Sequence, residues 1–376
     1  MKRFLPALLL LAVIMFTTVP SFAGQLLYLA SANDKTIVAY SLDEKTGKLA
    51  KKFSVELPAN PGPLAFSPDG KFIYAAVTGL KGDNKDGVVT LARAADGTLT
   101  VKHSAPITSR TCYIRPDNEG RHLLAAQYHA GEVTVYEIDK GICTGKLTDQ
   151  KKLQRTSHCV ELDLSGKFAF VPHTSPNKVY QFRYDGKAGK LIANDPKAAS
   201  GPDEDHQYHQ PRHIVLHPTL KMAYTSNERG GGISAWTFDP KTGLIKLKQT
   251  VSSLPKGYKG GSAAADIRIT PNGRFAYVSN RDTTKRKPGQ PKQDTLCMFS
   301  LDPSTGAVTR IGTFPAPAFP RPTCIDLTGK YVFAAGQLSS TMFAYRINQK
   351  TGALEKLAEY KTGGGPIWVM CGAVKD

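Results

Sequence analysis

The fold is decided by the stretch 210–228, which reads Gln-Pro-Arg-His-Ile-Val-Leu-His-Pro-Thr-Leu-Lys-Met-Ala-Tyr-Thr-Ser-Asn-Glu. The stretch predicts two short strands, 214–216 and 222–226, joined by a tight Pro-Thr turn. Arg212 precedes the first strand and Glu228 follows the second. In an antiparallel pair, the start of one strand and the end of the next lie at the same edge. The stretch therefore brings a cation and a carboxylate to one edge of a sheet.

The pattern of this stretch, a strand, a tight turn and a second strand, recurs along the whole chain. In each recurrence an aromatic residue or leucine follows three residues after the basic residue that ends a turn. These marked residues are Tyr28, Tyr74, Leu124, Phe170, Tyr224, Tyr277 and Phe333. Tyr28 begins the series, although no turn of this kind precedes it. Each is followed by a second hairpin signal, such as the turns at 239–243 and 348–352. Four short strands in each repeat of about 50 residues are typical of a propeller blade, so we predict an all-β, seven-bladed β-propeller.

The C-terminal segment supplies the strand that the first repeat lacks. Residues 364–370 resemble residues 61–66, which begin the second repeat. We therefore expect the C-terminus to form the innermost strand of the first blade and to close the ring, which removes exposed sheet edges. The sequence predicts one domain over residues 24–376.

The first 23 residues have the pattern of a secretory signal peptide. Lys2 and Arg3 precede the apolar run 4–16, and the small-residue sequence Ser-Phe-Ala at 21–23 is a cleavage site. The apolar run is too short for a membrane span. We expect an exported protein in the periplasm, with secretion as the alternative.

Charge and composition limit the partners. The formal net charge is +18, which favours anionic partners, and a basic loop at 285–292 could steer an anion. No nucleic-acid-binding motif is present, and we expect no nucleic-acid partner, no membrane insertion and a monomer. The segment 203–209 is rich in metal-ligand residue types without regular spacing, so we expect a solvated loop and no metal. Four of the six cysteines fall in predicted inner strands, and their pairing stays open.

Counting from the marked residues aligns the repeats at the channel. The equivalent first-strand positions are Gly62, Arg110, His158, Arg212, Ala265, Arg321 and Gly365, if Asn118 and Glu119 are extra turn residues. The second-strand ends are Thr78, Tyr128, Thr174, Glu228, Arg281 and Gln337. Arginines bind carboxylates and phosphates bidentately, and a histidine with a glutamate can perform acid–base chemistry. The set predicts a binding site at one mouth of the channel, although Arg212 and Glu228 could also form a purely structural ion pair.

The most specific segments are Pro211-Arg212-His213 with 216–218, 264–267 with 270–274, 334–337 and 365–369. In these segments, and over nearly the whole chain after residue 23, the sequence resembles the seven-bladed lactonase family. That family includes the propeller type of 6-phosphogluconolactonase and the fungal 3-carboxy-cis,cis-muconate lactonizing enzyme. The resemblance implies a lactone hydrolase without metal or cofactor. It places the catalytic set on His158, Arg212, Glu228 and Arg281. The export signal is a departure, because the sugar-phosphate members act in the cytoplasm.

The resulting hypothesis is an exported lactonase that hydrolyses a sugar-acid or related acid lactone. Arg321, Arg110, Tyr128 and Gln337 would bind the substrate, and either His158 or Glu228 would be the base. Two alternatives stay open. One is a carboxymuconate-type cycloisomerase that uses the same four catalytic residues, and the other is a non-catalytic propeller that binds an anionic or protein partner.

Overall fold

The strands form a ring of seven four-stranded sheets. The computed structural model describes residues 24–82, 86–201, 209–255, 257–258, 260–285, 287, 289–290 and 292–375. The predicted signal peptide, residues 1–23, lies outside the described residues. Among the residues that are described, no helix is long and apolar enough to cross a membrane.

The first four blades contain strands β1 to β15 in chain order, together with the last strand of the chain. Blade 1 contains β1 (Gly24–Ser31), β2 (Thr36–Leu42), β3 (Leu49–Glu56) and β28 (Pro366–Val374). Blade 2 contains β4 (Asn60–Phe66), β5 (Phe72–Thr78), β6 (Asp86–Arg93) and β7 (Leu99–Pro106). Blade 3 contains β8 (Tyr113–Pro116), β9 (His122–Gln127), β10 (Glu132–Asp139) and β11 (Ile142–Lys152). Blade 4 contains β12 (Glu161–Leu162), β13 (Phe168–His173), β14 (Lys178–Asp185) and β15 (Lys190–Ser200).

The remaining three blades follow the same order from the innermost to the outermost strand. Blade 5 contains β16 (Pro211–Leu216), β17 (Met222–Asn227), β18 (Gly232–Asp239) and β19 (Leu244–Ser252). Blade 6 contains β20 (Ser262–Ile269), β21 (Phe275–Asp282), β22 (Thr295–Leu301) and β23 (Val308–Pro315). Blade 7 contains β24 (Pro320–Ile325), β25 (Tyr331–Gly336), β26 (Thr341–Ile347) and β27 (Leu354–Lys361). The predicted seven-bladed propeller is confirmed.

The ring closes through the two ends of the described chain. The last strand, β28, pairs antiparallel with β1, from Gly24 opposite Val374 to Ser31 opposite Pro366. The other edge of β1 pairs with β2. The predicted closure by the C-terminal strand is therefore confirmed, and β28 is the innermost strand of blade 1.

The marked residues lie on the second strand of each blade, and all are buried. Where the marked residue is a tyrosine, its hydroxyl donates a hydrogen bond to a glycine carbonyl in the next blade. The distances are 2.7 Å from Tyr28 to Gly97, 3.0 Å from Tyr74 to Gly141, 2.8 Å from Tyr224 to Gly306 and 2.9 Å from Tyr277 to Gly352. Each glycine has a positive φ and lies in the turn between the third and fourth strands. We refer to these four contacts as the tyrosine–glycine contacts.

The innermost strands contain a β-bulge that sets the direction of their side chains. In blade 5 the register passes from Pro211 opposite Asn227 to Ile214 opposite Thr225, so two residues of β16 lie outside the regular ladder. The amide of one of them, His213, donates to the Ser226 hydroxyl at 3.3 Å. Blades 2, 6 and 7 have the same register shift. Bulges re-aim side chains, and this one directs neighbouring residues of each inner strand into the ring.

Candidate functional site

A cavity of about 630 Å³ lies at the N-terminal ends of the inner strands. We call it the site cavity. It is lined by Arg110, Tyr128, His158, Arg212, Glu228, Arg321 and Gln337, which are seven of the eight predicted site residues. The eighth, Arg281, contacts Glu228 from behind. The residues selected by counting along the sequence are thus brought together in space, and their catalytic and binding roles remain predictions.

Two guanidinium groups bind one oxygen of the Glu228 carboxylate. Arg281 donates from Nη2 to Oε1 at 2.8 Å, and Nε of Arg212 lies 3.6 Å from the same oxygen. Arg212 is 1% exposed, whereas the Glu228 side chain is 18% exposed. The carboxylate therefore faces the cavity while its two cationic partners lie deeper in the protein.

Arg281 is fixed by several contacts in addition to Glu228. Its Nε donates to the carbonyl of Ala263 at 3.0 Å, and Nη2 also donates to the carbonyl of Ala264 at 3.2 Å. Its guanidinium lies 5.2 Å from the centre of the Phe319 ring, within cation–π range. Arg281 is therefore held as a rigid partner that orients Glu228.

The concentration of positive charge shifts the pKa values of Glu228, Arg212 and Arg321. Burial alone would raise the pKa of Glu228, but Arg212 and Arg281 outweigh it, and the pKa lies below the ordinary value of 4.5. Burial and the neighbouring arginines lower the pKa of Arg212 and that of Arg321. Guanidinium groups nevertheless stay protonated in proteins. At neutral pH the cavity therefore contains one carboxylate among several cations, which is a strong field for an anion.

His158 is a neutral imidazole at the base of this cavity. Burial, followed by the charges of Arg212 and its neighbours, lowers the pKa of His158 well below 6.5. Its ring packs against Tyr128 and His213 at centroid distances of 5.3 and 5.2 Å. The Nδ1 atom of His158 and the Nε atom of Arg212 are buried and have no hydrogen-bond partner among the residues that the structure describes. Buried polar atoms normally have a partner, so these two atoms mark a part of the site whose hydrogen bonds are not satisfied.

A second group of residues, His213 and Asp266, completes the surroundings of Arg212. Nη1 of Arg212 lies 3.2 Å from Nε2 of His213, and Nδ1 of His213 donates to Asp266 at 2.9 Å. Burial, followed by Arg212, lowers the pKa of His213 to about 4. The neutral ring therefore accepts from the guanidinium and donates to the carboxylate. Asp266 in turn accepts from Arg268 and from Thr323.

Counting along the sequence missed this group. His213 and His217 are both expected to be packing or capping residues. His213 does pack against Tyr113 and Trp368, but it also lines the cavity. The expectation is confirmed for His217, whose ring contacts the Gly273 carbonyl and accepts from the amide of Leu220. Because of the bulge, the position one residue after each counted position also faces the interior. That position is His213 in blade 5 and Asp266 in blade 6.

The register also corrects two members of the predicted ring. In blades 2, 4, 5, 6 and 7 the counted position lies three residues before the partner of the marked residue. Leu124 pairs with Arg115, so Cys112 rather than Arg110 is equivalent to Arg212. Tyr28 pairs with Met370, so Ile367 rather than Gly365 is the equivalent in blade 1. Asn118 and Glu119 are not extra turn residues, yet Arg110 still reaches the cavity from two residues before the corrected position.

Cys112 does not resemble an activated thiol. Burial raises its pKa to about 11, and its Sγ lies 3.4 Å from the carbonyl oxygens of Ser157 and His158 in the next blade.

The segment 203–209 lies outside the described residues except for His209. Within the described ranges, no cluster of three or more His, Cys, Asp or Glu residues has a geometry for a metal ion.

Comparisons with known proteins agree with this fold and cavity. The model of the family described as "Lactonase, 7-bladed beta-propeller" matches residues 25–371. A 6-phosphogluconolactonase of Yersinia pestis (strain Pestoides F) is 30% identical over 348 residues, which cover 92% of this chain and 97% of the relative. The 6-phosphogluconolactonase of Erwinia tasmaniensis is also 30% identical and covers 92% of this chain and 98% of its own.

Among solved structures, a periplasmic gluconolactonase of Pseudomonas aeruginosa superposes with a TM-score of 0.81. It is 21% identical, and the match covers 93% of this chain and 99% of that one. A propeller whose arginine-rich cavity contains a carboxylate and a neutral histidine, and whose relatives have these names, is an enzyme of the lactonase class. The chain belongs to the seven-bladed β-propeller lactonase family.

Proposed function

We propose that this protein is an exported lactonase that hydrolyses a sugar-acid or related acid lactone at one mouth of the propeller channel. The observation that supports the proposal most directly is the Glu228 carboxylate, which faces the site cavity while Arg281 and Arg212 bind it from behind. Arg321 and Arg110 add two further guanidinium groups to the same cavity. An acid lactone combines an anionic or polyhydroxylated body with a carbonyl that becomes an oxyanion on attack, and such a cavity suits both.

The arginines provide binding and electrostatic stabilisation. Arg321, Arg110, Tyr128 and Gln337 bind the substrate's oxygens or acid group. The guanidinium group of Arg212, which lines the cavity, stabilises the oxygen of the lactone carbonyl through its positive charge as negative charge develops there. Preorganised donors of this kind contribute roughly 10²- to 10³-fold to the rate of acyl transfer. Ring opening of a lactone is also fast without an enzyme, so a modest acceleration is sufficient.

Glu228 is the general base in this proposal. Glu228 and His158 are both unprotonated at neutral pH, because the pKa of each is lowered. The Glu228 side chain is 18% exposed to the cavity, whereas His158 is 3% exposed, so a water molecule reaches Glu228 more easily. Glu228 takes a proton from the attacking water and, once protonated, returns it to the ring oxygen as the acyl C–O bond breaks. His158 lies beside the carbonyl and positions the substrate.

Export sets the class of substrate. Residues 1–23 have the pattern of a signal peptide, and the similar Pseudomonas aeruginosa structure is that of a periplasmic enzyme. We therefore expect an aldonolactone or another acid lactone that is available outside the cytoplasm, rather than a cytoplasmic sugar phosphate. The mature chain would act as a monomer in the periplasm.

The test is lactone hydrolysis by the mature protein. Gluconolactone, 6-phosphogluconolactone and a panel of acid lactones are compared with their spontaneous hydrolysis. Glu228→Gln should lower kcat by roughly 10²- to 10⁴-fold, because it removes the general base. Glu161→Gln is the matched control, because Glu161 is also paired with an arginine and its side chain is also 18% exposed, yet it does not line the site cavity.

The outcomes separate the hypotheses. Hydrolysis that is lost in Glu228→Gln and kept in Glu161→Gln supports the proposal. Lactone formation from a carboxylated muconate, without hydrolysis of any lactone in the panel, would instead identify a cycloisomerase. A folded protein that turns over neither class of substrate contradicts the proposal and leaves the non-catalytic binding propeller.

A further inference from the structure

Two cysteines from neighbouring blades are in contact beside the ring closure. Cys324 lies on β24, the innermost strand of blade 7, and Cys371 lies on β28, the innermost strand of blade 1. Their Sγ atoms are 3.5 Å apart, and both residues are free thiols in this structure. In the part of the chain that the structure describes, no other pair of cysteine sulfur atoms is this close. A disulfide needs the sulfur atoms at about 2.05 Å, so a shift of roughly 1.5 Å would be shared between the two side chains.

We propose that Cys324 and Cys371 are a modification site, at which a disulfide joins the closing strand β28 to the last blade. This inference does not depend on the chemistry of the site cavity. It follows from the place of the two thiols, where the closing strand β28 packs against the innermost strand of blade 7.

The two thiols are buried but can be reached from a second cavity. Cys324 is 5% exposed, and Cys371 is partly buried. Both line a cavity of about 530 Å³ at the C-terminal ends of the inner strands, which we call the opposite cavity. The rings of Tyr113 and Trp368, which also line it, pack against His213 of the site cavity. A small disulfide reagent can therefore approach the pair without entering the site cavity.

The reaction is thiol–disulfide exchange. The Cys371 thiolate attacks one sulfur of an oxidising disulfide, such as oxidised glutathione or the active disulfide of a protein oxidase, and releases one thiol. The Cys324 thiolate then attacks the Cys371 sulfur of the mixed disulfide and releases the second thiol. The two cysteines lose two electrons and two protons, and the oxidising disulfide is reduced to two thiols. An exported chain meets such oxidants during folding.

The environment of the pair indicates when this exchange is fastest. The hydrogen bond with Cys324, together with burial, raises the pKa of Cys371 well above its ordinary value. Since the thiolate is the reactive form, exchange in the closed ring is slow. We therefore expect the disulfide to form while β28 docks, before the two thiols are fully buried.

The disulfide would change how the ring opens. Among the described strands, β28 pairs in its sheet with β1 alone. In the reduced protein, opening of the β1–β28 pairing frees the closing strand. In the oxidised protein the strand stays fixed to β24, and the residues from 324 to 371 form a closed loop. Disulfides stabilise mainly by restricting the unfolded chain.

The first experiment is a peptide map of the full chain purified from the periplasm without reductant and alkylated at low pH. The expected result is a cross-linked peptide that contains Cys324 and Cys371, with Cys112, Cys143, Cys159 and Cys297 alkylated. The same protein is then incubated with oxidised glutathione at mildly alkaline pH. Separate alkylation of Cys324 and Cys371 after both treatments, or a cross-link that involves any other cysteine, overturns the proposal.

The second experiment measures the effect on the closing strand. Reduction of the oxidised wild type should lower Tm by on the order of 5 °C and speed hydrogen exchange of the amides in β28. Cys324→Ala should abolish both responses to reductant, and Cys143→Ala, which alters another buried thiol, should keep both. If Cys324→Ala does not fold, the peptide map of the wild type still decides. Equal responses in the two folded variants overturn the proposal.

Discussion

Arg212 contacts polar groups on both of its sides in the site. It lies between Glu228 on one side and the His213–Asp266 pair on the other. With an exposure of 1%, its position depends on these partners rather than on solvent. A buried charge is tolerated only when it is paired and hydrogen-bonded. The two partners therefore set the direction in which the guanidinium points.

This arrangement predicts a loss of activity when His213 loses its ring nitrogens. His213→Phe keeps the packing against Tyr113 and Trp368 but removes the acceptor for Arg212. We expect kcat/KM for the best lactone to fall by about 10- to 100-fold, because a displaced catalytic group costs this much. His173→Phe is the matched control, because His173 is buried and does not line the site cavity. Equal losses in the two variants, with folding confirmed by Tm, would contradict a positioning role for His213.

The lowered pKa values predict the pH profile of hydrolysis. The pKa of Glu228 is below 4.5 and that of His158 is well below 6.5, so neither group changes its charge near neutral pH. The activity, corrected for spontaneous hydrolysis, should therefore be flat from neutral pH down through 6.5, and the acid limb should lie below pH 4.5. A profile of kcat/KM against pH tests this. An inflection near pH 6.5 that disappears in His158→Gln would show that a protonatable His158 is required instead.

At the residue scale the sequence predicts which side chains meet, but not all of their partners. Arg212 and Glu228 are predicted correctly, since the repeat fixes their positions at the strand ends. His213 and Asp266 are missed, because the bulge turns a second residue of each inner strand inward. The bulge has no clear signal in the sequence. A residue with a positive φ precedes the bulge in blades 1, 5 and 7. It is a glycine in blade 1, Gly365, but Gln210 in blade 5 and Phe319 in blade 7, so glycine does not mark the bulge in the sequence.

Among the elements, the second strand of each blade determines how neighbouring blades pack. In four blades its tyrosine makes a tyrosine–glycine contact with the next blade. The close approach explains the glycine: a Cβ atom on Gly306 would lie 2.7 Å from the Tyr224 hydroxyl. Blades 3, 4 and 7 have Leu124, Phe170 and Phe333 instead and rely on apolar packing at this position.

The tyrosine–glycine contact of Tyr224 should contribute measurably to the stability of the folded protein. Tyr224→Phe removes the hydroxyl and leaves the buried Gly306 carbonyl without its partner. We expect the free energy of unfolding to fall by about 1–2 kcal/mol, measured by urea denaturation. Tyr40→Phe is the control, because Tyr40 is also buried and no hydrogen bond of its hydroxyl appears among the described residues. A change in Tyr224→Phe no larger than that in the control would contradict the contribution.

At the element scale, the strands are more predictable than their register. Turn residues such as the Asp-Pro-Lys-Thr-Gly sequence at 239–243 mark the strand ends, because Asp and Gly stabilise these turns by local hydrogen bonds and positive φ. The register of β8 and β28 was wrong by two residues at the channel. Periodicity of two keeps the same face after such a shift, so the alternation of side chains could not reveal the error.

For the whole molecule, buried histidines predict sensitivity to acid. Burial lowers the pKa of His173 and of His213 to about 4, whereas an unfolded histidine titrates near 6.5. Between pH 6.5 and 4 the unfolded state therefore binds more protons, and stability falls as the pH falls. Each histidine contributes a slope of up to about 1.4 kcal/mol per pH unit. Below pH 4.5 the loss of the Glu228 charge adds to the decline.

Urea denaturation at a series of pH values tests this expectation. The free energy of unfolding should decrease on acidification from pH 6.5, and the slope should be smaller in a folded His173→Gln variant. Replacement of His103, which is exposed, should leave the slope unchanged. A flat profile between pH 6.5 and 4 would contradict the role of the buried rings.

The architecture of the whole ring is the part that the sequence predicts best. Seven recurrences of one frame leave little choice of fold, since a single blade cannot bury both of its faces. The missing strand of the first repeat identified the closure in advance, and β28 occupies that place. The site, in contrast, depends on single residues from different repeats, because the repeat fixes their positions but not which residue type stands at each of them.

The closure has a consequence for how the protein is made. Synthesis proceeds from the N-terminus, so β1 is made long before its inner neighbour β28, which follows the other six blades in the chain. Until then the edge of β1 offers unpaired backbone groups to any passing strand. A premature stop codon that removes β28 would therefore leave a chain with six complete blades, in which one edge of β1 is unpaired.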